Sequence, residues 1–287
     1  MAAQTHIEWC DSTLNPWIGC DRISAGCDGC YAAVSTPART MGIVWGPKEP
    51  RHQTAPSTRR ALLRYERDHA RFAAEHGRRR RVFVASLSDV MDNAAPQAWR
   101  DELWADCEAS PNVDKLVLTK RVGNVRRMVL ASWLQPGGWP AHVWLGITVV
   151  DRREMLRDGP KLAALPVPLR FWSYEPALGP LGQIPLDIMP SWGIAGGESD
   201  QAEHKARPVH PDWLRSMRDQ FAAAGRPWLF KQWGEFLPVG QVRPAHGELV
   251  VPRTGHAWTD GTTCWRIGKA FAGRLLDGRE HLAWPCS

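Results

Sequence analysis

No apolar run in this chain approaches the ~20 residues that a bilayer-crossing helix needs. Residues 1–12, MAAQTHIEWCDS, also lack a basic start leading into an apolar stretch. The expectation is a cytoplasmic protein with no membrane partner. Cysteine is sparse and unevenly spread, seven in 287 residues. In a reducing compartment an odd, clustered set argues against a disulfide framework and for metal ligands beside ordinary core thiols. No second C-x2-C or H-x3-H follows the first cysteine cluster, and no internal repeat or low-complexity linker is evident. Acidic residues are the scarcer charge, 30 Asp plus Glu against 36 Lys plus Arg, and the net charge of +6 suits an anionic partner.

What is present is enough apolar residue, 44%, to bury a large core. Short apolar runs recur from residue 82: VFVAS (82–86), KLVLT (115–119), VWLGIT (143–148), LRFWS (169–173), WGIAG (192–196) and WLFK (228–231). Near-continuous hydrophobicity fits strands covered on both faces, and the intervals leave room for crossover helices. Asp92 or Asn93 is placed to cap a helix containing Trp99 and Leu103, Asp151 to cap RREMLRD, and Pro211 to open a helix closed by Gly225. A further strand is expected at LNPWI (14–18), weakened by Pro16. The pattern predicts an α/β fold, a (β/α) TIM-type barrel, complete or partial, over residues 1–233. Residues 234–287, with short runs such as ELVVP and TCWRI, read as a small C-terminal extension packed on it.

Polar residues follow nearly every predicted strand: Ser88 and Asp89, Lys120 and Arg121, Asp151, Glu175, Gly196 to Glu198, and Lys231. On a barrel these positions meet at one rim, where such folds build active sites. From that placement Lys120, Glu175 and Lys231 are candidate catalytic groups, and Ser88 and Asp89 candidate cofactor contacts. A buried Lys231–Glu175 ion pair is the plainer alternative. Between residues 57 and 81, Leu62, Tyr65, His69 and Phe72 form one helical stripe, with Arg60, Arg64, Arg67 and Arg71 nearly opposite. That face suits the phosphates of a nucleic acid, although a solvated basic helix is the commoner explanation of such a face. Most of the 16 tryptophans must be core, and Trp17 and Trp233 lie beside rim segments where they could stack on a base.

The segment GCDRISAGCDGCYAA (19–33) holds Cys20, Cys27 and Cys30. Cys27 and Cys30 can direct two thiolates at one centre and Cys20 can supply a third; His6 and Cys10 are near enough to complete a zinc tetrad. Three cysteines around an iron–sulfur cluster instead leave one iron open, and glycines at 19, 26 and 29 let a loop wrap closely round it. Cys107, Cys264 and Cys286 have no partner spacing and read as core thiols.

These segments together, IEWCDSTLNPWIGCDRISAGCDGCYA, VFVASLSDVM, KLVLTKR, VWLGITV, RFWSYEPALGPL, WGIAGGESD, PWLFKQWGEF and AGRLLDGREH, resemble a family of phage- and bacterium-encoded proteins with a three-cysteine motif. That family is itself similar to radical S-adenosylmethionine (SAM) enzymes. The resemblance implies a 4Fe-4S cluster on Cys20, Cys27 and Cys30, with SAM on the open iron. It implies cleavage of SAM to a 5′-deoxyadenosyl radical that modifies a nucleic-acid base or nucleotide. It also implies an electron donor such as flavodoxin or ferredoxin, and a possible companion protein. Gly196, Gly197 and Glu198 look like the GGE element that binds the SAM amino group. The spacing C-x6-C-x2-C departs from the usual C-x3-C-x2-C. The rival expectation is a non-catalytic iron–sulfur or zinc-containing nucleic-acid-binding or sensor protein.

Overall fold

The computed structural model describes residues 5, 7–241 and 254–285. His6, Cys286 and the run ELVVP lie outside them. Apolar runs become strands much as their composition dictates. β1 (Ser12–Leu14) is followed by β2 (Trp17–Ile18), which pairs antiparallel with β3 (His52–Gln53). Pro16 splits the expected strand LNPWI into β1 and β2, because proline lacks the N–H that a continuing ladder would use. Then come β4 (Arg80–Val84), β5 (Val113–Thr119), β6 (Val143–Thr148), β7 (Arg170–Tyr174), β8 (Trp192–Gly196) and β9 (Trp228–Gln232). Three short strands follow: β10 (Phe236–Pro238), β11 (Gly255–Ala257) and β12 (Thr263–Arg266), in the order β10-β12-β11.

The principal sheet has seven strands in the order β1-β4-β5-β6-β7-β8-β9. The registered pairs β1·β4, β4·β5, β5·β6 and β8·β9 are parallel. This corrects the expected TIM-type barrel. The class is α/β, but among the described residues β1 and β9 are ends of an open sheet and do not pair with each other. A physical reason lies at β9, whose outer edge is taken by the chain itself. Phe230 donates its N–H to the His281 carbonyl (2.9 Å) and the Ala283 N–H reaches the Trp228 carbonyl (3.3 Å), an antiparallel bridge that leaves no edge for closure.

Helices fill most intervals. Gln97–Glu108 precedes β5, Arg152–Ala163 precedes β7, and Pro211–Ala223 precedes β9. Asp151 caps the second of these, accepting the Glu154 N–H at 2.8 Å. Pro211 opens the third at its first turn, and Gly225 follows it with φ +64°. Asp92 does not cap Gln97–Glu108; its carboxylate instead takes the Ala94 N–H (3.1 Å) and a buried ion pair with Arg51 (2.7 Å). Between β7 and β8 no helix forms, since prolines at 176, 180, 185 and 190 leave no span long enough for uninterrupted helical hydrogen bonds.

The chain divides into two compact units, each drawn from several stretches of sequence. The first comprises Met1–Ser24, Cys30–Ile147 and Pro160–Phe171. Its core includes the row Trp104, Trp133 and Trp139, with neighbouring ring centroids 5.1 and 5.3 Å apart, and Trp9 against Phe83 at 4.4 Å. The indole N–H groups of that row are satisfied by the Met128 carbonyl, Glu108 and the Val143 carbonyl, as buried donors require. The second unit comprises Ala25–Gly29, Thr148–Gly159 and Trp172–Ser287. Trp192 packs on Trp284 (5.0 Å) and Phe230 on Trp233 (5.0 Å). Cys107 is fully buried in the first unit, and Cys264 packs with Ala206 and Phe236 in the second. No helix among the described residues is long and apolar enough to cross a membrane.

Candidate functional site

In the first unit the loop after β4 carries Ser88 and Asp89. Asp89 is an organiser: Oδ1 accepts from the Met91 N–H (2.9 Å) and Thr119 Oγ1 (2.7 Å). Its Oδ2 accepts from the Lys120 N–H (3.1 Å) and the Arg121 guanidinium (3.0 Å). Three of the four bonds, from Thr119, Lys120 and Arg121, tie the loop after β4 to the end of β5. Arg121 also donates to Cys20 Sγ at 3.3 Å and to the Asp21 carbonyl at 2.9 Å, pinning the start of the cysteine loop. Burial pushes the Cys20 thiol up to about 12, Asp89 adds to the shift, and Arg121 opposes it. The Ser88 hydroxyl oxygen is buried with no hydrogen-bond partner among the described residues, and Lys120 is half-buried.

The second unit brings Glu175, just past β7, to Lys231 of β9 with Oε1 and Nζ 3.0 Å apart. Ser173 Oγ donates to the other carboxylate oxygen at 3.2 Å. Both charged side chains keep some solvent exposure, 22% for lysine and 13% for glutamate, so the pair is within reach of a ligand. Gly196 lies against it: a Cβ there would stand 3.2 Å from Glu175 Oε1. Gly197 is required by backbone packing, since a Cβ would fall 1.9 Å from the Trp233 carbonyl oxygen.

Glu198 completes the GGE triplet, and its oxygens are already engaged. Arg207 donates from Nε and its backbone N–H to Oε2, both at 2.8 Å, and from a terminal nitrogen to Oε1 at 2.5 Å. His204 Nε2 stands 3.1 Å from Oε1. Burial opposes the carboxylate charge, but the Arg207 bonds outweigh it and hold the Glu198 pKa below the usual range. Arg207 reaches on to Asp28 (3.1 Å) and the Ala25 carbonyl (2.9 Å). Arg207 and His204 escaped the sequence reading because no motif marks them. Their only signal is position, in the loop between β8 and the next helix.

The metal reading is overturned. Among the described residues no group of three or more His, Cys, Asp or Glu is placed to hold a metal ion. Cys20 has its sulfur against a guanidinium and Cys27 is buried in the 3₁₀ turn Ala25–Cys27. Cys30 packs on the apolar cluster of Ile18, Ala32, Ala38, Ile43 and Leu87. The three thiols therefore do not fit a 4Fe-4S cluster, and SAM has no open iron to chelate. Spacing permitted convergence, but among the described residues the three sulfurs do not gather into a ligand set. Trp17 and Trp233 take the packing role that is the default for tryptophan. Both are fully buried, Trp17 packing on Trp99 (6.0 Å) and Trp233 donating to the Leu275 carbonyl (2.8 Å).

The basic segment folds as Pro56–Arg59, Ala61–Arg67 and His69–His76, closed by Gly77 at φ +68°. Leu62, Tyr65 and Phe72 are buried, and Arg60, Arg64, Arg67 and Arg71 are exposed. Arg60 pairs with Asp106 (3.1 Å) and Arg71 with Asp68 (2.8 Å), whereas no acid pairs with Arg64 or Arg67 among the described residues. The following arginines do not extend this face. Arg78 is held by Asp11 in two bonds (2.7 and 2.8 Å), and Arg80 stacks over Phe72 at 4.0 Å.

No curated protein and no solved structure matches the chain. Residues 4–285 match the family model described as "Protein of unknown function (DUF5131)", and with nearly the whole sequence covered, the chain belongs to that family.

Proposed function

We propose that this protein acts on a nucleic-acid base or nucleotide, with the arginine face of residues 60–71 as its phosphate-binding element. The exposed row Arg60, Arg64, Arg67 and Arg71 is the observation that carries the reading. These residues recur at helical spacing on the side opposite the buried stripe, and among the described residues no acid pairs with two of the four. Of the other two, Arg71 makes a surface pair with Asp68 that exchanges readily against a phosphate, whereas Arg60 is held by the buried Asp106 carboxylate.

Glu175 with Lys231, and Lys120 beside Asp89, are the groups assigned to chemistry. A carboxylate and an ammonium 3.0 Å apart and partly open to solvent form a proton-accepting and proton-donating couple. Ser88 and Asp89 shape the strand end beside Lys120 in the first unit, and Gly196, Gly197 and Glu198 the strand end beside Glu175 and Lys231 in the second.

Binding is tested by fluorescence anisotropy with labelled single- and double-stranded oligonucleotides over a salt series. The Arg64→Ala, Arg67→Ala double variant should bind more weakly and reduce the slope of log K against log salt by roughly 2, about 0.9 for each phosphate that is no longer neutralised. Wild-type protein that binds no oligonucleotide or nucleotide would end the proposal. Mass spectrometry of nucleosides from cells with wild-type protein or the Glu175→Gln variant tests the chemistry. A modified nucleoside present only with wild type is expected; binding without any change would leave a non-catalytic binding protein.

A further inference from the structure

We propose that Arg207 is a latch that holds the segment Ala25–Gly29 down over Cys27 and so controls access to that thiol. The interactions are specific and lie within the second unit. One guanidinium reaches both oxygens of Glu198 (2.8 and 2.5 Å), the Asp28 carboxylate (3.1 Å) and the Ala25 carbonyl (2.9 Å). Ala25 is the first residue of the 3₁₀ turn that ends at Cys27, so its carbonyl is held at the start of the element that carries the buried thiol. Gly29 seats the other side: a Cβ there would stand 2.5 Å from His204 Cδ2 and 3.1 Å from Glu198 Oε1.

The two arms of the latch differ in strength. Glu198 is almost fully buried, with its side chain 5% exposed, and its bidentate pairing with Arg207 is the fixed end. Asp28 is 48% exposed and Arg207 33% exposed, so the pairing between them is screened by salt and readily exchanged. An anchor on Glu198 and a releasable grip on Asp28 make the segment 25–29 the part that opens. Cys27, at 8% exposure, is the side chain uncovered when it does.

Peptide-level mass spectrometry of alkylation by iodoacetamide tests this on the full chain at one fixed pH. Cys264 serves as an internal control, because it is buried against Ala206, next to Arg207, and reports any general loosening there. Arg207→Ala should raise the Cys27 labelling rate about tenfold or more. Asp28→Asn, which alters only the exposed arm, should raise it severalfold, and added salt should accelerate wild type but not Asp28→Asn. The Cys264 rate should stay unchanged throughout. Should Arg207→Ala fail to fold, Asp28→Asn and the salt series decide. Unchanged Cys27 labelling in Asp28→Asn, or Cys27 and Cys264 rising together, would overturn the latch.

Discussion

A single backbone position shows how steric space and dihedral angle combine. Gly234 has φ +78°, and a Cβ there would lie 2.0 Å from the Glu198 carbonyl oxygen, which is backbone and cannot step aside. Gly77 has φ +68° but nothing within 4 Å. Gly77→Ala should therefore cost only the left-handed strain, about 1 kcal/mol. Gly234→Ala should cost the strain plus the overlap, ~2–4 kcal/mol in all. Urea unfolding of the two variants checks the contrast; equal losses would mean that the close approach to Glu198 is not maintained. Lys115 offers a second prediction for one side chain. It is fully buried, donates to the Ser110 and Val113 carbonyls, and burial lowers its pKa from 10.5 to about 8. The unfolded chain keeps the proton up to about 10.5 and the folded chain releases it near 8, so the unfolded state binds more protons between those values. Stability from this group should accordingly rise with pH across that window, and its penalty is present in full below 8. The unfolding free energy of wild type relative to Lys115→Met should thus increase between pH 7.5 and 10. A constant difference would show that Lys115 titrates normally.

Elements follow local rules where the rule is local. β6 and β8 span the residues expected from their apolar runs, VWLGIT and WGIAG, because continuous hydrophobicity suits strands covered on both faces. Helix Arg152–Ala163 begins where Asp151 can cap it. Asp151→Ala should cost about 1 kcal/mol of stability, and Asp151→Ser much less, since a hydroxyl can still accept the Glu154 N–H. Thermal unfolding of the pair distinguishes the lost cap from any other role. Where expectation failed, a competing local term won. Proline divided LNPWI, proline spacing suppressed a helix between β7 and β8, and Asp92 went to Arg51 instead of a helix terminus. The arginine stripe was legible because burying Leu62, Tyr65 and Phe72 leaves the opposite side of the same helices to solvent.

For the molecule as a whole, the open sheet depends on a distant stretch of sequence. Residues 281–284 cover the edge of β9 and put Trp284 against Trp192, whose indole N–H also donates to the Ala283 carbonyl at 3.0 Å. Removing residues 281–287 should bare that edge and the apolar face of Trp192, giving concentration-dependent association measurable by light scattering. A truncated protein that stays monomeric and equally stable would show the cover to be dispensable.

The sequence by itself determined the α/β class, most strand positions, the helix caps at Asp151 and Pro211, and the solvent-facing arginines. All of these follow from periodicity and propensity acting within about a dozen residues. Only the tertiary structure decided that the sheet stays open, that Trp17 and Trp233 are core, that Glu198 belongs to Arg207, and that Cys20, Cys27 and Cys30 take three separate environments. Those outcomes depend on which distant groups reach a side chain first: Arg121 lies 101 residues from Cys20, and Arg207 lies 179 from Asp28. Spacing along a chain states what a set of ligands can do, whereas burial and competing partners settle what each atom binds.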